Sequence, residues 1–203
     1  MKHILLILIG CFAMFGLSCP VGAATQYAST LKDHKPAGYP TAVLAGGCFW
    51  CVEHTMRKLE GVVYTRVGYM GGKGEKPDYA DVSTGRTGHA EVIEVTFDPK
   101  ILTYDAVIRH FMTEAHDPTQ KDHQGVDVGT QYRSGIFTQD AQQEAIARAV
   151  IKDLDKEGKI VTEIVPAQTF WEAEAYHQRY YENYEKVNGR KHIRVIMKEA
   201  VGK

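Results

Sequence analysis

The amino-acid sequence predicts a single α+β domain with helices packed on a mixed β-sheet. Three observations support this fold class. The 203 residues, of which 44% are hydrophobic and 24% charged, are sufficient for one domain with a sizeable core. Segments with strand-like and helix-like spacing follow one another without strict alternation. No internal repeat and no linker divides the chain.

Hydrophobic spacing and turn residues place the elements in order. Strands are expected at 41–45, 62–69, 89–97, 132–137 and 159–165, and helices at 52–59, 104–115, 139–157 and in part of 170–184. Thr103 and Thr138 are expected to cap two of these helices. Residues 25–40 contain Pro and Gly and are expected to be irregular. The Lys-rich residues 189–203 are expected to form a loosely held tail, so that the domain itself spans 41–188.

Residues 1–24 differ from the rest of the chain and are typical of a signal peptide. Lys2 is their only Lys, Arg, Asp or Glu, an apolar stretch covers 4–17, and Gly22-Ala23-Ala24 offers the small residues of a cleavage site. We therefore expect cleavage near Ala24 and export, most simply to a bacterial periplasm. The alternative is a lipoprotein anchored at Cys19, although Gly16 stands where such signals usually have an aliphatic residue. Without that lipid, no stable membrane association is expected.

Charge and cysteine usage narrow the function. Once the leader is removed, the chain keeps 23 of its 24 basic residues and all 25 acidic ones, a net charge of −2. This balance gives no indication of a nucleic-acid surface or a polybasic membrane patch. Of four cysteines, Cys11 and Cys19 belong to the leader, so the mature chain keeps Cys48 and Cys51. The loop between them is too small for a structural framework, which favours a redox couple.

The segment around these cysteines is the strongest functional signal. An apolar strand is followed by Gly46-Gly47 and then by a helix, so Cys48 is expected at a helix N-terminus, where unpaired N–H groups favour a thiolate. Cys51 lies one turn later, within reach of a disulfide. Phe49 and Trp50 are two large aromatics that a purely structural turn does not need. The alternative is a buried pair of thiols without chemistry; the glycines and aromatics favour redox catalysis.

The strand 89–97 carries two carboxylates on opposite faces. Glu91 shares its face with the apolar Ile93 and Val95, whereas Glu94 lies on a more mixed face and is expected at the surface. A carboxylate among apolar neighbours has a raised pKa and can act as a general acid. From the pattern alone, Glu91 could equally lie just outside the core.

Other candidate residues are weaker when they are taken singly. Tyr79 could be a packing residue of a glycine-rich loop. Asp127 precedes a strand at the end of the long polar loop 116–131, where it could face a cleft or make a turn. Four histidines could suggest zinc, but their spacing to the Cys pair matches no metal site, so no metal is expected. They are His89, His116, His123 and His177.

Taken together, five segments resemble the peptide-methionine (S)-S-oxide reductases, the A-type methionine sulfoxide reductases. They follow one another in order over about 41–188. They are Gly46-Gly47-Cys48-Phe49-Trp50, Gly88-His89-Ala90-Glu91, His116-Asp117-Pro118-Thr119-Gln120, Gly129-Thr130-Gln131-Tyr132-Arg133-Ser134 and Ala175-Tyr176-His177-Gln178.

The resemblance implies a two-layer α/β sandwich and a thiol reductase that needs no cofactor. It makes Cys48 the nucleophile that attacks the sulfoxide and Glu91 the acid. Phe49 and Trp50 would form the wall that holds the sulfoxide methyl group. The remaining roles also follow from the resemblance: hydrogen bonds to the sulfoxide oxygen from Tyr79 and Tyr132, and support of the site by Asp127.

Two departures from the family pattern bear on recycling and on the pocket rim. Cys51 stands where the family most often has glycine, and no cysteine follows it, so Cys51 is expected to resolve Cys48 as a disulfide that a thioredoxin-like reductant reduces. Residues 122–126 differ from the asparagine- and arginine-bearing version of the family. The alternatives are a thioredoxin-fold disulfide oxidoreductase, which would need an open approach to the first sulfur, and a non-catalytic peptide-binding module.

Overall fold

The computed structural model describes residues 25–195. The predicted leader, its cleavage site and Cys19 lie outside the described residues, as do residues 196–203 of the predicted tail. The strands are β1 (Thr41–Gly46), β2 (Val62–Met70), β3 (Ala90–Phe97), β4 (His123–Gln124), β5 (Asp127–Val128), β6 (Ser134–Thr138), β7 (Glu163–Pro166) and β8 (Trp171–Glu172). The α-helices are α1 (Phe49–Met56), α2 (Tyr79–Ser83), α3 (Tyr104–His110), α4 (Ala141–Leu154) and α5 (Tyr180–Asn188).

Six strands form one mixed sheet in the order β7-β6-β1-β3-β2-β8. All neighbouring pairs are antiparallel except β6 and β7, which run parallel because α4 crosses between them. The hairpin of β4 and β5 is separate from this sheet. The central pair is β1 and β3, so the strand that leads to Cys48 lies beside the strand that carries Glu91.

The two faces of the sheet are covered differently. One face packs on α1, α3 and α4 and contains the larger apolar core, to which Ile93 and Val95 of β3 contribute. The other face carries a smaller cluster, including Val92, that is covered by irregular chain around Ala167 and Phe170. Helices lie on one side only, which confirms the predicted α+β class with a mixed sheet.

Helix capping agrees with the sequence at α3 and corrects it at α4. The Thr103 side chain accepts a hydrogen bond from the N–H of Ala106, as expected, and the helix continues as a π-helical turn at Phe111–Ala115. Thr138, by contrast, ends β6. The cap of α4 is Asp140, whose carboxylate accepts from the N–H of Gln143. Asp caps helices as well as Thr does. Because Thr138 is still part of β6, α4 begins after it and Asp140 takes the cap position.

Residues 25–40 contain no helix or strand, in line with the prediction, yet they are held to the domain by hydrogen bonds from Ala28 N to Arg57 O and from Lys32 N to Val63 O. At the other end the prediction of a loosely held tail is wrong for the part that the structure describes. Val195 is buried, and Arg194 forms an ion pair with Asp127. The chain beyond α5 therefore returns to the domain and belongs to it. Within residues 25–195, no helix has the length and apolar character required to cross a bilayer.

Candidate active site

The turn between β1 and α1 places Cys48 at the helix start. Gly47 has φ 94°, a conformation that side chains rarely adopt. A Cβ atom on Gly46 would lie 2.9 Å from side-chain atoms of both His116 and Phe111. The two glycines thus allow the tight turn and the close packing of the π-helical segment behind it. Cys48 follows as the N-cap residue of α1, and its carbonyl accepts from the N–H groups of Cys51 and Val52.

The protonation state of Cys48 differs from the sequence prediction. Its thiol is buried, and its pKa is raised well above the usual range. The largest cause is the side-chain hydrogen bond with Cys51, followed by burial, while the backbone N–H of Cys51 acts in the opposite direction. The helix start does favour a thiolate, but the hydrogen bond and the loss of hydration outweigh it. The surroundings of Cys48 therefore favour a thiol in this state, where the sequence predicted a thiolate.

Cys51 is half-buried in the first turn of α1, and neither it nor Cys48 is joined in a disulfide. Its sulfur lies 3.3 Å from the hydroxyl oxygen of Tyr181 in α5. The side chains of the two free cysteines are hydrogen-bonded to one another, so they are close enough to act as a pair.

Glu91 lies beside this helix start. Its side chain is only 2% exposed, and its Oε2 accepts a hydrogen bond of 2.9 Å from the backbone N–H of Phe49. Burial raises the pKa of Glu91 to about 8, in spite of that hydrogen bond, and the negative charge of Asp127 adds to the effect. Glu91 is therefore a protonated acid near neutral pH, and the prediction of an inward carboxyl with a raised pKa is confirmed.

Glu94 is not the surface residue that the sequence analysis expected. It is 6% exposed, and its carboxylate forms ion pairs with Lys35 at 2.7 Å and Arg66 at 2.9 Å. It does lie on the opposite face of the strand, so the predicted phase is right. The second face is covered as well, by a segment around Phe170 that packs against Arg66.

Tyr79 and Tyr132 both lie near Glu91. The pKa of each hydroxyl is raised, first by burial and next by the charge of Glu91, with a further contribution from Cys48. Tyr79 begins α2, and its backbone N–H donates to the Glu174 carboxylate. Tyr132 ends a 3-10 turn that leads into β6. The structure thus brings these two predicted residues, which are far apart in sequence, close enough to Glu91 for its charge to act on both hydroxyls.

Phe49 and Trp50 differ in their surroundings. Phe49 is fully buried against Tyr69 and His177, whereas Trp50 is half-buried and stacks on Tyr180 with a centroid distance of 4.0 Å. The indole N–H of Trp50 donates to Nδ1 of His177 at 3.1 Å. Of the two aromatics, Trp50 is the one that retains accessible surface, while Phe49 forms the packed layer behind it.

His177 is a site residue to which the sequence analysis gave no role. It is 1% exposed and contacts the rings of Phe49, Trp50, Tyr79 and Tyr176, with centroid distances of 4.1–5.5 Å. Burial lowers its pKa, so that the ring is neutral. His177 could have been identified from the segment Ala175-Tyr176-His177-Gln178, because this segment has too little periodicity to be explained as part of the core.

Asp127 is held by Arg194 through two hydrogen bonds of 3.0 and 3.1 Å. The hydrogen bonds to Asp127 are the main cause that raises the pKa of Arg194, and Cys48 and Cys51 lie close enough to contribute to it. Arg194 lies in the predicted tail and was not expected at the site, because a single arginine in a Lys-rich segment carries no pattern.

A cleft of about 990 Å³ opens beside the two sulfurs. Cys48 and Cys51 line it together with Gly46, residues 112–119, 124–127, 154–157 and 159–160, and Arg194. Among residues 25–195 there is no group of three or more His, Cys, Asp or Glu side chains placed to hold a metal ion.

Comparisons with known proteins identify the family. The family model for peptide methionine sulfoxide reductase matches residues 40–202. The chain belongs to the peptide methionine sulfoxide reductase family. A relative of this family from Methanoculleus marisnigri, peptide methionine sulfoxide reductase MsrA, is 54% identical over 144 residues, which cover 69% of this chain and 87% of the relative. The resemblance to A-type reductases in the sequence is thereby confirmed.

Solved structures of the peptide methionine sulfoxide reductase family agree with the fold. Reduced Mxr1 from Saccharomyces cerevisiae has a TM-score of 0.70 and 35% identity, and the match covers 75% of this chain and 91% of Mxr1. The structure of Mxr1 from Saccharomyces cerevisiae in complex with Trx2 has a TM-score of 0.52 and 28% identity, and the match covers 74% of this chain and 91% of that chain.

Proposed function

We propose that this protein reduces methionine S-sulfoxide, free or within proteins, to methionine by thiol chemistry at Cys48. The observation that carries the proposal is the Glu91 carboxyl, protonated near neutral pH and fixed by the N–H of the residue that follows Cys48. Such an acid beside a thiol can protonate a sulfoxide oxygen while the sulfur is attacked. The family membership supports the same activity.

The first half-reaction uses the groups around Glu91. The sulfoxide methyl group packs on the accessible face of Trp50, with Phe49 behind it, and Tyr79 and Tyr132 donate hydrogen bonds to the sulfoxide oxygen. Glu91 gives its proton to that oxygen while the Cys48 sulfur attacks the sulfoxide sulfur. The proton that Cys48 loses restores Glu91, the oxygen passes to Cys48, and methionine leaves with Cys48 as a sulfenic acid. Because Cys48 starts as a thiol, its deprotonation belongs to this step.

The second half-reaction restores the thiol. Cys51 attacks the sulfenic sulfur of Cys48, water leaves, and a Cys48–Cys51 disulfide forms. A thioredoxin-like dithiol then reduces it by exchange. Contact of Cys51 with Cys48 supports its resolving role, and the solved complex of Mxr1 with Trx2 supports this type of reductant. The rival disulfide oxidoreductase has no sulfoxide oxygen for Glu91 to protonate, and the family match gives it no support.

The test uses resolved epimers of methionine sulfoxide with the reduced mature chain and dithiothreitol. We expect turnover of the S epimer and none of the R epimer. Equal rates on both, or no turnover of either, would rule the proposal out.

The resolving role is tested with Cys51→Ser. Methionine release in a single turnover should stay near wild type, whereas turnover driven by a thioredoxin should be lost. Undiminished thioredoxin-driven turnover would show that Cys51 does not resolve Cys48.

We also propose that the protein is exported to a periplasm, on the basis of the apolar stretch and small residues within 1–24. Cell fractionation and the mass of the mature chain test this: export predicts a soluble periplasmic product that begins near 25. A membrane-bound product that is released by Cys19→Ala would favour the lipoprotein alternative, and a cytoplasmic full-length chain would contradict both.

A further inference from the structure

Recycling requires a nucleophilic sulfur at Cys51, and the structure contains a partner for it that the reductase chemistry above leaves unused. This partner is Tyr181, whose hydroxyl oxygen lies 3.3 Å from Sγ of Cys51. The other tyrosines of the site, Tyr79 and Tyr132, face Glu91 on the sulfoxide side. Tyr181 thus belongs to the opposite end of the cysteine pair, next to the thiol that acts second.

The hydroxyl of Tyr181 is fixed in place. The side chain is 4% exposed, and its ring packs edge-on against His54 with a centroid distance of 5.7 Å and lies 5.0 Å from the ring of His192. A buried ring between two others has little rotational freedom, so that its hydroxyl has a set position relative to Cys51.

The same helix that carries Cys51 also fixes the helix that carries Tyr181. The buried Glu53 carboxylate of α1 accepts a hydrogen bond of 2.9 Å from the backbone N–H of Arg179, the residue before α5. Arg179 has φ 52°, in the left-handed region that residues other than glycine rarely adopt, so its surroundings must stabilise this conformation. One turn further along α1, Arg57 pairs with Glu182 at 2.6 Å. The two contacts flank Tyr181 in sequence, at Arg179 and Glu182, and hold this part of α5 against the chain that follows Cys51.

The chemistry of the pair follows from the charge that recycling creates. A thiol attacks poorly and a thiolate attacks well, and a thiolate in a half-buried site lacks water to stabilise it. Tyr181 keeps its proton, because burial and the neighbouring Cys51 both raise its pKa, so the hydroxyl acts as a donor and not as a base. Its hydrogen bond is strongest when Cys51 is negatively charged.

We propose that Tyr181 is the positioning residue of the recycling half-reaction: its hydroxyl holds the sulfur of Cys51 and stabilises the thiolate that attacks Cys48. The proposal rests on the resolving role of Cys51 in the proposed function. In the step it serves, the Cys51 sulfur forms a bond to the Cys48 sulfur and the S–O bond of the sulfenic acid breaks. The oxygen takes up the proton that Cys51 gave up and leaves as water; Cys51 is oxidised and the sulfenic sulfur reduced.

Other charged and titratable groups face the same sulfur and remain in place when Tyr181 is changed. Arg194 and Glu91 act on Cys51 by charge, and Cys48 is its hydrogen-bond partner. His54 and His192 contact the Tyr181 ring. A shift in the pH profile that appears with the loss of one hydroxyl is therefore assignable to that hydroxyl.

The experiment compares Tyr181→Phe with Tyr184→Phe. The first removes one oxygen and keeps the ring; the second removes a hydroxyl from the same helix, where the ring contacts His192 and not Cys51. Each reduced variant receives one equivalent of methionine S-sulfoxide without reductant. Methionine release, trapping of the sulfenic acid by a dimedone-type reagent and loss of free thiols are followed in time over pH 6–10.

In Tyr181→Phe, methionine release should match wild type, but disulfide formation should slow about tenfold, which is the effect of one hydrogen bond to a charged sulfur. The sulfenic acid should accumulate, and the pH midpoint of disulfide formation should move up by about one unit. Tyr184→Phe should behave as wild type in all three measurements. Unchanged or faster disulfide formation in Tyr181→Phe, or an unshifted pH midpoint, would overturn the proposal.

Two further measurements keep the result decisive. Thermal unfolding verifies that Tyr181→Phe is folded; if it is not, Tyr181→Trp, which retains a ring N–H donor, replaces it and should restore part of the rate. In a Cys51→Ser background, Tyr181→Phe should leave methionine release unchanged, and an effect there would show a role unrelated to Cys51. If wild type itself forms no Cys48–Cys51 disulfide, the proposed function fails, and that outcome is seen before any tyrosine variant is compared.

Discussion

Glu91 and Glu94 lie three residues apart on β3, and both are buried, yet they have opposite chemistry. Glu91 faces the helix-covered core, accepts its hydrogen bond from a neutral amide, and has a pKa of about 8. Glu94 faces the other side, lies between Arg66 and Lys35, and has a pKa below its usual range. Burial raises the pKa of both carboxyls, and only Glu94 has cations at hydrogen-bonding distance to reverse the effect. The presence of charged partners, and not the degree of burial, decides which carboxyl is a protonated acid and which is a structural anion.

The largest effect expected from this comparison concerns the chemical step. Glu91→Gln keeps the shape of the side chain but removes the proton it donates, so methionine release in a single turnover should slow by roughly 10²–10⁴-fold. Glu94→Gln should leave this rate nearly unchanged, because its ion pairs lie on the other face. Rapid-quench measurements on both reduced variants decide the matter, since disulfide recycling cannot mask a single turnover. Similar effects of the two substitutions would mean that the faces have been assigned wrongly.

The two substitutions should rank in the opposite order in their effect on stability. Glu94→Gln leaves Arg66 and Lys35 without their shared carboxylate and should lower the free energy of unfolding by about 3 kcal/mol, the low end for breaking a buried pair. The low end applies because Arg66 keeps its ion pair with Glu172 at 3.0 Å. Urea unfolding at pH 7 measures the loss, with Glu91→Gln as the matched control. A smaller loss at Glu94 than at Glu91 would contradict the assignment.

The pH dependence of stability should separate the two carboxyls as well. In the unfolded chain Glu91 ionises near pH 4.5, whereas in the folded protein it stays protonated up to about pH 8. Wild type should therefore lose stability relative to Glu91→Gln across this window, by about 1.4 kcal/mol per pH unit at most. For Glu94 the folded pKa is lowered, so its contribution is complete above pH 4.5 and is lost only as the pH falls below it. Between pH 6 and 8 only the Glu91 variant should change relative to wild type.

The smallest effect is expected for Lys35→Met. The side chain of Lys35 is 39% exposed, and Arg66 remains on Glu94 after the substitution. A half-exposed ion pair contributes less than about 1 kcal/mol, which is the loss expected in urea unfolding. A loss as large as that of Glu94→Gln would show that Lys35, and not Arg66, is the main partner of this carboxylate.

The sequence predicted the parts of the site that short-range patterns encode. Alternation along one strand put Glu91 and Glu94 on opposite faces and left open whether Glu91 is buried, which the family resemblance favoured. Two glycines between an apolar strand and a helix were enough to place Cys48 at the helix start. These features depend on residues within a few positions of one another, so the sequence itself displays them.

The errors at Glu94 and Arg194 share a physical cause, which is a partner far away in the chain. Glu94 is covered because an irregular segment near Phe170 lies over the second face of the sheet. The position of such a segment cannot be predicted from hydrophobic periodicity, because it has none. Arg194 is part of the site because it pairs with Asp127, 67 residues before it. The error at Cys48 has a different cause. Its partner Cys51 is only three residues away, and this contact and burial together raise the pKa of the thiol against the effect of the helix start, a balance of magnitudes that a motif does not contain.

The closure of the site by α5 and the residues before it also has a consequence for the order of folding. Trp50 meets His177 across 127 positions, and Cys51 meets Tyr181 across 130. Chains are synthesised from the N-terminus, so a growing chain carries both thiols for most of its synthesis without the aromatic residues that enclose them. The segment that contains His177 and Tyr181, made long after the cysteines, is thus the part that turns a reactive pair of cysteines into a selective one.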